Sequence, residues 1–399
     1  MISSFFMLFF MIYLKKEGVK MGVYKKNKKF KNVDKTPSLL GFGCMRFPLI
    51  CGSDEIDKDL VFKMIDYAYQ NGVTYFDTAY PYHNGKSEIV IGEALKKYER
   101  ESFYLADKMP TWLLNSVDDA KRIFAEQLEK CSVDYFDFYL CHALNNGNYL
   151  KYRDLKVMDF LLEMKKEGKI KRLGCSFHDT PEVLEKILNT YDFDFVQIQL
   201  NYLDWDYQKA SEQYEIIRKR NLPIIVMEPV RGGTLANLGE DVNQIFKAVN
   251  NNASVASWAL RFAASCDQVM TVLSGMSNFE QVKDNINTFS NYKPLDDLER
   301  KTIDEALSLF LKNKIIPCTG CRYCMDCPFG VDIPKNFKIY NNFAINGRKE
   351  VFLNSFEALM EHNAIHCKDC KACVKKCPQH IDIPTKMKMI NDVINEIRS

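Results

Sequence analysis

Residues 74–109 read TYFDTAYPYHNGKSEIVIGEALKKYERESFYLADKM. A short β-branched and aromatic run comes first, then a turn rich in Pro, Asn and Gly, then apolar positions at helical spacing, then a second strand-like run. This is the pattern of a strand, a crossover helix and a second, parallel strand. Working outward, the same alternation recurs. The strand-like runs are LLGFGCMRF (39–47), TYFDTA (74–79), FYLADKM (103–109), YFDFYLCHA (135–143), IKRLGCSF (170–177), FVQIQLN (195–201), PIIVMEP (223–229) and VMTVLSG (269–275), eight in all. Between them lie amphipathic segments such as DKDLVFKMIDYAYQNG, VDDAKRIFAEQLEK and PEVLEKILNTY, and Gly72 and Gly168 stand where helices should stop. Eight such units predict a (β/α)8 barrel over residues 36–300. A doubly wound sheet would carry a Gly-rich phosphate turn after its first strand, and GFGCM lacks the third glycine.

The bulk composition sets limits. The 399 residues exceed what one core usually holds, and 54 basic against 52 acidic residues favour neither nucleic acid nor an acidic surface as partner. The opening MISSFFMLFFMIYLKKEGVK is too short in its apolar part to span a bilayer, and its lysines follow the apolar run, unlike a signal peptide. We expect residues 1–35 to be an extension without structure and Met21 to be the start of translation; an interfacial anchor helix is the alternative. Stable membrane insertion is not expected. Of fourteen cysteines, eight fall in two tight groups and six (Cys44, Cys51, Cys131, Cys141, Cys175, Cys266) are scattered, which suits small buried side chains in a reducing cytoplasm.

In such barrels the chemistry sits where strands end. Strand 2 ends at Asp77 with Tyr82 five residues on, strand 3 ends at Lys108 and strand 4 at His142. Taken singly, each has a bland reading as cap, packing or structural residue; together they compose one device. Tyr82 would be a proton donor whose pKa of about 10 a neighbouring Lys108 ammonium lowers. Asp77 would hold the lysine, and His142 would orient a substrate oxygen. These four residues at these places in an eight-fold repeat resemble the catalytic tetrad of the aldo-keto reductases. The resemblance covers about residues 36 to 300 and implies reduction of an aldehyde or ketone by NAD(P)H. It also implies a nicotinamide pocket with Ser176 and Gln197 at the carboxamide, Gly43 and Met45 beside it, and Met227 where the family usually has a stacking aromatic. After strand 8 the stretch LSGMSNFEQVKDN offers Gly275, Ser277, Gln281 and Asn285 but no basic phosphate clamp, for which Arg231 or Lys283 could substitute. NADP preference does not follow from these residues, and flavin stays open as an alternative.

From residue 318 the composition changes. Cys318, Cys321, Cys324 and Cys327 read C-x2-C-x2-C-x2-C-P, and Cys367, Cys370, Cys373 and Cys377 read C-x2-C-x2-C-x3-C-P, the second being the run of bacterial ferredoxins. Zinc sites favour separated C-x2-C pairs, so iron–sulfur is the expectation. CPFGVDIP (327–334) recurs as CPQHIDIP (377–384), a duplication implying two [4Fe-4S] clusters, and the helical link between them resembles the α-helical ferredoxins. That resemblance implies crosswise ligation: Cys318, Cys321 and Cys324 with Cys377, and Cys367, Cys370 and Cys373 with Cys327. We therefore expect a connecting helix at 301–316 and a ferredoxin-type domain at 317–399. Three functions remain open: a hydride reductase with a structural or docking cluster domain, a flavin-containing or otherwise redox-active barrel wired through the clusters to an external carrier such as ferredoxin or flavodoxin, or an electron-transfer or redox-sensing module with a relic tetrad.

Overall fold

A computed structural model describes residues 22–30, 33–34 and 36–398. Eight strands, β1 (Leu40–Gly43), β2 (Tyr75–Asp77), β3 (Tyr104–Pro110), β4 (Phe138–Leu144), β5 (Leu173–Phe177), β6 (Phe195–Gln199), β7 (Ile224–Met227) and β8 (Val269–Ser274), close into one barrel. Every neighbouring pair is parallel, and β8 closes on β1 through Leu40 opposite Val272. The strands read as near-continuous apolar runs because both faces are covered, one by the barrel interior and one by helices.

The interior is filled, not hollow. Tyr75, Phe138 and Phe195 stack through it, with ring centroids 5.1 Å apart from Tyr75 to Phe138 and from Phe138 to Phe195. Such bulk needs a small neighbour: a Cβ on Gly174 would lie 2.7 Å from the Phe195 ring and 2.6 Å from its carbonyl oxygen. Outside the strands, one continuous apolar layer, including Val61, Ile65, Ile91, Ile123, Leu161 and Leu184, seats the helices.

Residues 22–30, 33 and 34 depart from the unstructured extension expected of residues 1–35. Val23 N–H donates to Asn71 O (2.9 Å), Tyr24 N–H to Phe289 O (3.0 Å), and Phe30 and Val33 are buried against the interior cluster with Tyr75 and Met270. The open N-terminal end of a filled barrel leaves apolar side chains exposed, and this short segment covers them. The proposed start at Met21, and the apolar run before it, lie outside the described residues. No helix among the described residues is long and apolar enough to cross a membrane.

After β8 the helix Phe279–Ser290 returns along the barrel, and Asp297–Phe310, opening with an Asp296/Glu299 capping box, begins four residues before the connecting helix expected at 301–316. The cysteine-rich part follows with its own core. Ile333–Asn346 and Ile383–Arg398 each follow a Cys-Pro turn, and their apolar faces pack with Phe352 and Phe356 of Lys349–Glu357. Both helices start at an Asp-Ile-Pro: Asp332 accepts the Lys335 N–H, and the proline fills a position where no donor is needed. The sequence duplication is thus a structural duplication, and the part from residue 317 is helical throughout its described elements.

Candidate active site

The chain brings Asp77, Tyr82, Lys108 and His142 together at the C-terminal mouth of the barrel. Lys108 Nζ donates to Asp77 Oδ1 (2.5 Å) and to Thr78 O (2.6 Å), and both side chains of the ion pair are buried. A buried charge is retained only when paired and hydrogen-bonded, and this pair meets that condition. Lys108 Nζ also lies 4.9 Å from the centre of the Tyr82 ring. The His142 ring stands edge-on to Tyr82, with centroids 6.1 Å apart.

Each of these side chains has a local anchor. Tyr82 opens a short turn whose backbone N–H bonds Ala79 O (3.0 Å), and the next residue, His83, accepts the Phe47 N–H on Nε2 (3.1 Å) and stacks on the Phe47 ring. Thr111 Oγ1 donates to His142 O (2.8 Å), which ties the ends of β3 and β4 together. Beneath Lys108 lies a polar layer that sequence reasoning missed. Asp107 Oδ1 accepts the Lys108 N–H (2.8 Å), Gln127 Nε2 donates to Lys108 O (3.0 Å), and buried Glu88 pairs with Lys130 (3.0 Å). Burial, then the Glu88 charge, pushes the Asp107 carboxyl well above its ordinary range.

The electrostatics differ from the expectation that Lys108 would lower the Tyr82 pKa. Burial pushes the phenol well above its ordinary 10, and the Asp77 and Glu228 carboxyls add to that direction. His142 is held well below the imidazole range, by burial first and then by the Lys108 charge. The pair is therefore a protonated phenol and a neutral imidazole at neutral pH. Burial raises Asp77 and the Lys108 ammonium offsets it.

The expected cofactor residues divide. Gln197 and Ser176 face each other across β5 and β6; Gln197 Oε1 is buried without a partner, and Ser176 Oγ accepts the Ala143 N–H (2.8 Å), leaving its own proton free. An orphaned buried amide oxygen beside a free hydroxyl proton suits a carboxamide. Met227 is half-buried at the end of β7, Met45 is half-buried in the turn after β1, and Gly43 lies beside the end of β8. Beyond β8, Gly275 packs on Arg46, the Ser277 N–H bonds Gln281 Oε1 (2.7 Å), and Asn285 donates to Ser274 Oγ (2.8 Å). Arg231 is turned inward, with Nε donating to both Asp204 oxygens at 3.0 Å, because a guanidinium this deeply buried requires a carboxylate. It therefore does not present itself at the surface as a phosphate clamp, and Lys283 pairs with Glu280.

The eight cluster cysteines line two small cavities, four to each. Cys318, Cys321, Cys324 and Cys377 line the first; Cys327, Cys367, Cys370 and Cys373 line the second. Cys327, whose spacing is one residue short, stands with the second run. Four cysteines lining one cavity supply the ligand number of a [4Fe-4S] cubane.

The first cavity sits directly on the barrel mouth. Arg46 Nη2 bridges Glu228 Oε1 (3.1 Å) and Thr319 O (2.8 Å), Gln379 exchanges hydrogen bonds with Gln199 (2.9 and 3.2 Å), and Gln208 donates to Gln379 (2.6 Å). Tyr323, between Cys321 and Cys324, reaches into the site and places its hydroxyl 3.1 Å from His142 Nε2. Trp112 flanks both rings, 5.0 Å from His142 and 6.0 Å from Tyr323. No sequence signal separates Tyr323 from any other residue between ligands.

A (β/α)8 barrel with this polar set at its mouth, joined to a two-cavity cysteine domain, defines an oxidoreductase built of a reductase barrel and a ferredoxin-type unit. Residues 39–308 match the aldo/keto reductase family and residues 317–381 the 4Fe-4S dicluster domain, so the chain belongs to the aldo/keto reductase family. Among curated proteins it is similar to a probable aldo-keto reductase 1 of Glycine max, 26% identical over 210 residues, covering 51% of this chain and 58% of that one. It is also similar to the NADH-specific methylglyoxal reductase of Escherichia coli (strain K12), 23% identical over 297 residues, covering 63% of this chain and 90% of that one. Among solved structures, the holo form of aldo-keto reductase AKR11C1 from Bacillus halodurans superposes with a TM-score of 0.59 at 25% identity, covering 71% of this chain and 96% of that one. An aldo-keto reductase from Klebsiella pneumoniae in complex with NADPH shares the fold, with a TM-score of 0.58 at 21% identity, covering 71% and 95%.

Proposed function

We propose that the barrel reduces an aldehyde or ketone, with Tyr82 as the general acid. The observation that carries this reading is the buried Lys108–Asp77 pair set under the ring of a phenol that faces a neutral imidazole. A nicotinamide, when bound, supplies hydride to the carbonyl carbon. Gln197 Oε1, buried without a partner, and Ser176 Oγ would hold its carboxamide. His142 Nε2 orients the substrate oxygen, and the Tyr82 hydroxyl gives its proton to that oxygen as the C–O double bond becomes a single bond. The Lys108 ammonium offsets the negative charge left on Tyr82, and Asp77 keeps that ammonium in place. Family membership supports the nicotinamide; the pocket after β8, without a free basic side chain, does not favour NADPH over NADH.

A second reading rests on Tyr323, which joins the first cluster loop to the barrel site. In it, electrons from an external carrier such as ferredoxin or flavodoxin pass through the clusters, and a flavin or other mediator at the barrel mouth combines one-electron steps into two. Eight clustered cysteines favour the reducing cytoplasm for either reading. Tyr82→Phe separates them: in full-length, iron-replete enzyme it should lower NAD(P)H-dependent aldehyde reduction by about 10² to 10⁴. Undiminished turnover would remove the general-acid assignment.

A further inference from the structure

Tyr323 is absorbed neither by cluster ligation nor by the tetrad, yet its position is highly specified. Its hydroxyl meets His142 Nε2 at 3.1 Å, its ring stands edge-on to the His142 ring with centroids 6.2 Å apart, and the partly exposed Trp112 lies 6.0 Å from it. The loop that carries it is tied to the barrel four residues earlier, where Arg46 holds Thr319 O, and the first cavity is tied a second time through Gln379, two residues after Cys377, which Gln199 and Gln208 hold. Among the described residues Tyr323 is the polar partner of His142 Nε2, and Nδ1 is buried without one.

We propose that the Tyr323 hydroxyl occupies the place of the substrate's carbonyl oxygen and that substrate binds by displacing it. This rests on the reading of the barrel as a carbonyl reductase. Two oxygens do not share one imidazole nitrogen at hydrogen-bond distance with equal geometry, so a carbonyl oxygen seated between Tyr82 and His142 competes with the phenol of the cluster loop. The first cluster loop is then a wall of the substrate pocket. Binding pays for breaking one hydrogen bond, and the pocket, bounded by Trp112 and the Tyr323 ring, selects short, unbranched carbonyl compounds over bulky ones. Tyr323 is a specificity-determining residue supplied by the ferredoxin-type domain.

The test is Tyr323→Phe in the full chain, with iron, sulfide and thermal melting checked against wild type. Two quantities are measured: KM and kcat for the aldehydes from propanal to octanal, and the calorimetric Kd of hexanamide, whose carbonyl oxygen binds without being reduced. Loss of the competing hydroxyl should lower both KM and Kd about two- to tenfold, the worth of one neutral hydrogen bond, with kcat little changed. Tyr323→Leu, which opens the wall further, should flatten the chain-length dependence as well. It also serves if the phenylalanine variant fails to assemble. Unchanged KM and Kd, or weaker binding in either variant, would overturn displacement, the latter by showing that the hydroxyl helps to hold the substrate. Absence of aldehyde turnover in wild type would count against the reductase reading alone, because hexanamide binding still reports on Tyr323.

Discussion

The carbonyl oxygen of Thr319 lies where a side chain on Gly232 would begin: a Cβ built there would be 2.0 Å from it, and Gly232 has φ 64°. Two parts of one chain, a loop after β7 and the first cluster run, therefore meet through a position that tolerates only glycine. Gly232→Ala should cost about 3 kcal/mol, from the left-handed backbone together with the overlap. The loss should appear as earlier melting of the cluster-bearing part, followed by loss of its visible absorbance, with the barrel's far-ultraviolet signal melting as before. Unchanged melting of both parts would mean that the seat is loose.

Ligation is testable by pairs. The two cavities place Cys377 with the first run and Cys327 with the second. The double variant Cys318→Ala/Cys377→Ala should therefore lose one cluster and keep about four irons of about eight. Cys318→Ala/Cys327→Ala removes a ligand from each cavity and should lose both clusters. The opposite ranking of iron content would show that each run ligates its own cluster.

The pH dependence follows from the directions at Tyr82 and His142. His142 is depressed below 6.5, so its neutral form is lost only as pH falls well under that value. Tyr82 is raised above 10, so its proton is retained until well above that value. In between, kcat/KM for aldehyde reduction should be level, from about pH 7 to about pH 9.5. An alkaline limb centred near pH 8 to 9 and absent from Tyr82→Phe would show that Lys108 lowers the phenol after all.

How much of this was legible in the sequence follows from what each signal encodes. Apolar runs such as PIIVMEP and VMTVLSG announce strands covered on both faces, and their number announces closure, since eight parallel strands in order form the barrel observed. Polar residues at the ends of such runs are bound to share the barrel mouth, which is why Asp77, Tyr82, Lys108 and His142 can be grouped from the sequence. Contacts between the two parts were not legible. Cysteine spacing encodes ligation and nothing about which intervening side chain faces the barrel, so it does not single out Tyr323 or Thr319. Arg231 shows the converse: a basic residue near a cofactor pocket invites a phosphate, and only the fold brings Asp204 to it. Phe30 and Val33 lack any periodic pattern and become apolar plugs only against an interior cluster assembled from distant strands.

The most direct test of the central claim is anaerobic reduction of an aldehyde with NADH or NADPH carrying deuterium at the transferable position, using full-length enzyme with its iron content established. The account predicts one deuterium on the carbinol carbon of each product molecule, and a fall of about 10² to 10⁴ in its rate of appearance in Tyr82→Phe. Product formed without deuterium, at a rate set by chemically reduced clusters and indifferent to Tyr82, would contradict it.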